Sequence, residues 1–170
     1  MAASPLQKLQ QLQHLARQLE YEADMLKKSP PDRPFDILSI RIDEDKVEEG
    51  RQLELVYYPE NADLEGSDFL QFYCHYPFVY NDEGLQKIKQ LLPDVNNRMS
   101  LGHFGISFNE KKVQFKYVLA LPLKTEVKPL FFKDVLEICI YTPPLFHDII
   151  HQAGTAQISI EAAIRQLRSV

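Results

Sequence analysis

Asp68-Phe69-Leu70-Gln71-Phe72-Tyr73-Cys74-His75-Tyr76-Pro77-Phe78 is the stretch that decides the fold of this chain. Leu70, Phe72, Cys74 and Tyr76 alternate with Phe69, Gln71, Tyr73 and His75. A period of two belongs to a strand with one face on a core. Just upstream, Arg51 to Tyr58 repeats the pattern, with Leu53, Leu55 and Tyr57 set against Gln52, Glu54, Val56 and Tyr58. Before that, Phe35 to Ile42 closes on Leu38, Ile40 and Ile42. Polar loops join the three runs, as in an antiparallel meander.

On either side of this meander the periodicity turns helical. Ser4-Pro5 is a helix start, with Ser at the cap and Pro in the first turn. Leu6, Leu9, Leu12, Leu15, Leu19, Ala23 and Leu26 then predict one amphipathic helix, halted by Ser29-Pro30-Pro31. The stripe is short for a coiled coil and suits a helix lying on a sheet. Downstream, Asn81-Asp82-Glu83-Gly84 caps a helix with Leu85, Ile88, Leu91 and Leu92 on its face, while Pro93 and Asn96-Asn97 leave its end open. Strands are expected over His103–Phe108 and Val113–Leu121, around a turn at Asn109-Glu110-Lys111-Lys112. A helical region from Pro129 carries Phe132, Val135, Leu136, Cys139 and Ile140. It breaks at Pro143-Pro144, resumes through Phe146, Ile149 and Ile150, and stops at Gly154. Ser159 starts a last helix with Ile160, Ala163, Ile164 and Leu167. The order α-β-β-β-α-β-β-α-α predicts a single α+β domain over residues 1–170. Its expected architecture is two-layer, an antiparallel five-stranded sheet with helices mainly on one face.

Composition narrows the function by exclusion. With 170 residues, 45% of them hydrophobic, the chain can bury a core without metal or disulfide staples. A net charge of −5 argues against nucleic acid and anionic membrane as partners. Met1-Ala2-Ala3-Ser4-Pro5 leads into a Gln- and Leu-rich helix rather than an apolar run, so no secretory signal is expected. No stretch approaches the roughly 20 apolar residues of a membrane span. Cys74 and Cys139 lie far apart in apolar settings and read as buried thiols of a reducing cytoplasm.

Catalytic and metal-binding patterns fail one by one. His147-Asp148-Ile149-Ile150-His151 places two His four apart on a helix, but Asp148 stands where the zincin motif needs Glu, and no third ligand follows. In Asp43-Glu44-Asp45-Lys46-Val47-Glu48-Glu49, Val47 and Glu48 occupy places where a calcium loop wants an oxygen ligand and a glycine. Leu101-Gly102-His103-Phe104-Gly105 lacks the GxGxxG spacing and precedes a strand rather than a helix. No GxSxG elbow occurs, and neither Cys has a polar setting that would make a thiolate. The expectation is a non-enzymatic protein with no cofactor and no metal.

Such a domain works through its surface. The alternation assigns Leu53, Leu55, Leu70, Phe72, Phe115, Tyr117 and Leu119 to the helix-facing side, with Phe104 and Phe108 also core. It leaves Val56, Tyr58, Phe69, Tyr73, His75 and Val118 on the opposite face, among Gln52, Glu54, Gln71, Gln114 and Lys116. An apolar, aromatic patch with a polar rim is a protein-contact signature. The competing readings are a Tyr-rich sheet surface and a face covered by the protein's own elements.

The element order, the Leu- and Gln-rich first helix, the junction from Asn96-Asn97-Arg98-Met99 to Leu101-Gly102-His103-Phe104-Gly105, and Phe115-Lys116-Tyr117-Val118-Leu119 carry a resemblance. Together they resemble the YbjN-like branch, with its cyanobacterial members, of the type III secretion chaperone-like fold. The resemblance spans nearly the whole chain, though its motifs are structural. It implies a two-layer, often dimeric α+β protein that binds polypeptides, and it brings no catalytic residues. Pro143-Pro144 and the acidic first hairpin depart from that pattern. The expected function is a cytoplasmic assembly or folding chaperone, a possible homodimer, holding a client segment on its sheet face or edge. The resemblance admits a client in a large assembly such as a carboxysome shell, but the sequence names none. The alternative is a sensory module that binds a small ligand between helices and sheet.

Overall fold

The computed structural model describes residues 3–42, 51–58, 66–123 and 125–170, so the acidic run 43–49 lies outside the described residues. Contacts group the chain into two compact units, Met1–Cys74 with Tyr117–Leu136 and His75–Lys116 with Glu137–Val170.

The first unit opens on α1 (Pro5–Gln18). The Ser4 hydroxyl accepts from the Gln7 backbone N–H at 3.3 Å, and the Ser4 N–H donates to the Gln7 carboxamide at 2.8 Å. This capping box satisfies two donors that the helix start leaves bare. The helix stops at Gln18, well short of the expected Ser29. Glu20 turns the chain at φ 67°, and Ala23–Leu26 forms a strand, β1. Ala23, Asp24, Met25 and Leu26 lie opposite Ile40, Ser39, Leu38 and Ile37 of β2 (Ile37–Arg41). A continued helix would have left the edge of β2 unpaired, so strand pairing overrides the helical spacing of Leu19, Ala23 and Leu26.

β3 (Gln52–Tyr57) and β4 (Ser67–Val79) follow, then β5 (His103–Ser107) and β6 (Lys112–Pro122). Among the described residues the antiparallel sheet has six strands, in the order β1-β2-β3-β4-β6-β5. The expected five-stranded sheet is corrected by the strand that replaces the end of the first helix. The element order becomes α-β-β-β-β-α-β-β, followed by helices.

In the first unit one sheet face is closed. Leu38, Ile40, Leu53, Leu55, Leu70 and Phe72 are all fully buried. α1 lies across β1, β2 and β3 and buries Leu9, Leu12 and Ala16. Each large apolar side chain so enclosed contributes about 1.5–3 kcal/mol.

The second unit is built on α2 (Asp82–Asn96), capped by Asn81, whose side chain accepts from Gly84 N–H at 2.7 Å. The helix runs through Pro93 to Asn96; Pro93 is exposed, while Val95 beyond it is fully buried and holds the last turn down. α2 packs on β5 and on α4 (His147–Gly154) and α5 (Ile160–Leu167). Between α3 (Pro129–Tyr141) and α4, where the double proline interrupts the helical hydrogen bonds, Pro143–Phe146 forms a 3₁₀ turn. The Phe104 ring meets those of Tyr76, Phe115 and Phe146, with centroids 5.3, 6.0 and 6.4 Å away. Phe108 was expected in this core and is instead 60% exposed. It falls just past the end of β5, so strand alternation no longer governs it, and the Lys89 ammonium sits 5.6 Å from its ring centre.

Candidate protein-contact face

The register of β3 and β4 gathers the candidate residues. Glu54 lies opposite Tyr73 and Val56 opposite Gln71, while Tyr58 N–H donates to Phe69 O at 2.9 Å. Residues directly opposite in an antiparallel pair share a face. Val56, Tyr58, Phe69 and Tyr73 therefore stand together, on the side away from Leu53, Leu55 and Phe72. The Tyr117 ring lies 5.8 Å from that of Phe72, which puts Tyr117 on the buried side and Val118 on the side of Tyr73.

Burial across this face is graded. Tyr58 is 39% exposed, and its hydroxyl donates to the Gln71 carboxamide. Phe69, Tyr73 and Val118 are half-buried. Val56 is only 9% exposed, so it supports its neighbours more than it offers surface. His75 belongs to the other unit, where its Nδ1 lies 3.3 Å from Glu110 Oε2. The structure thus draws five of the six residues into one unit and gives His75 an acidic neighbour elsewhere.

Sequence reasoning missed what happens at the two sheet edges. β1 and β5 are the outer strands. On β1 the Ala23 carbonyl accepts from Gln13 Nε2 at 2.9 Å and from Arg17 Nε and Nη2 at 3.0 and 2.7 Å. On β5 the Phe104 N–H donates to Asn96 Oδ1 at 2.7 Å, and Asn96 Nδ2 donates to Phe104 O at 3.1 Å. The Asn96 carboxamide thereby stands in for a neighbouring strand. Occupied edge groups cannot template a further strand. Only the spacing of Asn96 from the β5 run was visible beforehand, and it carries no signal of this contact.

The His147 and His151 rings are 6.1 Å apart, and His147 lies 5.3 Å from the Tyr76 ring. Among the described residues no three His, Cys, Asp or Glu side chains come together as a metal site would need. Cys74 and Cys139 are both buried. Gly102 adopts φ 72°, and a Cβ there would lie 2.5 Å from the Phe115 ring, which accounts for glycine at the turn into β5. Among the described residues no helix is long and apolar enough to cross a membrane. Comparison of the chain with protein-family models and with curated proteins finds no match.

Proposed function

We propose that this chain is a non-enzymatic protein-binding module, an assembly or folding chaperone that holds a client segment on the face formed by Tyr58, Phe69, Tyr73 and Val118. One observation carries the reading. Half-exposed aromatic side chains share a sheet face whose reverse carries the fully buried Leu53, Leu55, Leu70 and Phe72. Aromatic residues set among polar ones are what protein contacts favour, because they bury much area at little entropic cost. Side-chain anchoring is preferred here to strand addition, since side chains already occupy the Ala23 carbonyl and both backbone groups of Phe104. The resemblance to the YbjN-like branch of the type III secretion chaperone-like fold supports this reading, which places the chain in the cytoplasm and admits a homodimer.

The test is capture from a lysate by the tagged chain, read by mass spectrometry, beside the Phe69→Ala and Tyr73→Ala variants. One dominant client is expected, its recovery falling about tenfold in each variant, the effect of an aromatic contact worth 1–2 kcal/mol. Unchanged recovery in both variants, with their circular dichroism intact, rejects the face.

A further inference from the structure

α1 carries surface that the sheet does not use. Lys8, Gln11 and Leu15 follow helical spacing, with Gln7 beside them. Across from this surface runs the segment before α3, with Val127 half-buried, and Tyr57 of β3 also contributes. Together they bound a cleft of about 440 Å³, entirely within the first unit. That volume falls in the range that holds small molecules, about 300–1,000 Å³.

The charges of the lining narrow the class of ligand. Lys8 is not available to an anion: its Nζ lies 2.7 Å from Asp68 Oδ2, and both side chains are only 13% exposed. The same ammonium sits 5.5 Å from the Tyr57 ring centre, so that ring face is not offered to a cation. Glu126 is the one acid among the lining residues; it is exposed and repels anions further, and His14, also exposed, is the one imidazole. The Tyr57 hydroxyl makes no hydrogen bond among the described residues, although Tyr57 is only 5% exposed. Burial and the Asp68 charge push its pKa up to about 12, so at neutral pH it is a protonated donor. Leu15 and Val127, both half-buried, supply apolar surface, and the Gln7 and Gln11 carboxamides add polar groups.

We infer that this cleft binds a small uncharged ligand with a carbonyl, above all an amide, whose oxygen accepts from the Tyr57 hydroxyl while its apolar body rests on Leu15 and Val127. The inference goes beyond the client-binding face and stands independently of it.

The experiment titrates the full ¹⁵N-labelled chain with acetanilide, a neutral amide on an apolar ring, and with benzoate as the anionic counterpart. Saturable shifts are expected in the amides of α1 and of residues 125–128 with acetanilide, and weaker binding with benzoate. Tyr57→Phe keeps the ring beneath Lys8 and is expected to weaken acetanilide binding about fivefold, the loss of one neutral hydrogen bond. Gln11→Phe fills the cleft from an exposed position, leaves Tyr57 intact, and is expected to abolish the shifts, which keeps the test decisive if Tyr57→Phe fails to fold. No saturable shift at these amides, an unchanged affinity in a folded Tyr57→Phe or in Gln11→Phe, or tighter binding of benzoate each overturns the inference.

Discussion

Tyr57 concentrates the residue-scale physics of the first unit. It lies on the closed face of β3, where Leu53 and Leu55 precede it, and the Lys8–Asp68 ion pair sits beside it. Burial first, and the Asp68 carboxylate second, raise the phenol from 10.0 to about 12. The folded protein therefore prefers the protonated phenol more strongly than the unfolded chain does. Its contribution to stability is complete below pH 10 and is lost as pH rises from 10 toward 12. Wild type is expected to lose on the order of 2 kcal/mol more than Tyr57→Phe across that window, in urea melts at stepped pH. Equal slopes for the two proteins would refute this account. The inward placement of Tyr57 was legible from alternation. Its ionic neighbours were not, because Lys8 and Asp68 are separated by 60 residues and nothing local couples them.

At the scale of elements, two contacts decide how the second unit closes. A Cβ on Gly84 would lie 1.7 Å from the Gly154 carbonyl oxygen, which also accepts from Asn81 N–H at 3.0 Å. Only glycine lets the first turn of α2 approach the end of α4 so closely. Gly84→Ala is expected to destabilise by about 3 kcal/mol or more, since backbone rather than a flexible side chain must move. A loss below about 1 kcal/mol in urea denaturation would contradict the packing described. Asn96 is the second device. Asn96→Ala removes both hydrogen bonds to Phe104 and is expected to cost about 1–3 kcal/mol. It also bares the β5 edge, so sedimentation should show concentration-dependent association absent from wild type. Periodicity offered both residues as helix punctuation. Gly84 read as part of a cap and Asn96 as an uncertain helix end, because their partners lie on other elements.

At the largest scale, the sheet of the first unit sets one closed face against one half-open face, and the two should respond differently to truncation. Leu55→Ala on the closed face is expected to cost about 2–5 kcal/mol, since it opens a cavity beneath α1. Tyr73→Ala, half-buried on the other face, should cost about 1 kcal/mol or less while client capture falls. A Tyr73→Ala loss as large as that of Leu55→Ala would make Tyr73 a core residue and remove the contact face. By itself, the sequence determined the α+β class, the meander at residues 35–78, the caps at Ser4, Asn81 and Ser159, and the division of side chains between the faces of β3 and β4. All of these follow from local periodicity and local hydrogen bonding, which a few neighbouring residues specify. Only the tertiary structure decided that Ala23–Leu26 is a strand, that Phe108 leaves the core, that side chains bond Ala23 and Phe104 on the outer strands, and that a cleft opens beside α1. Each depends on a partner remote in sequence, or on where an element stops, and local pattern carries neither.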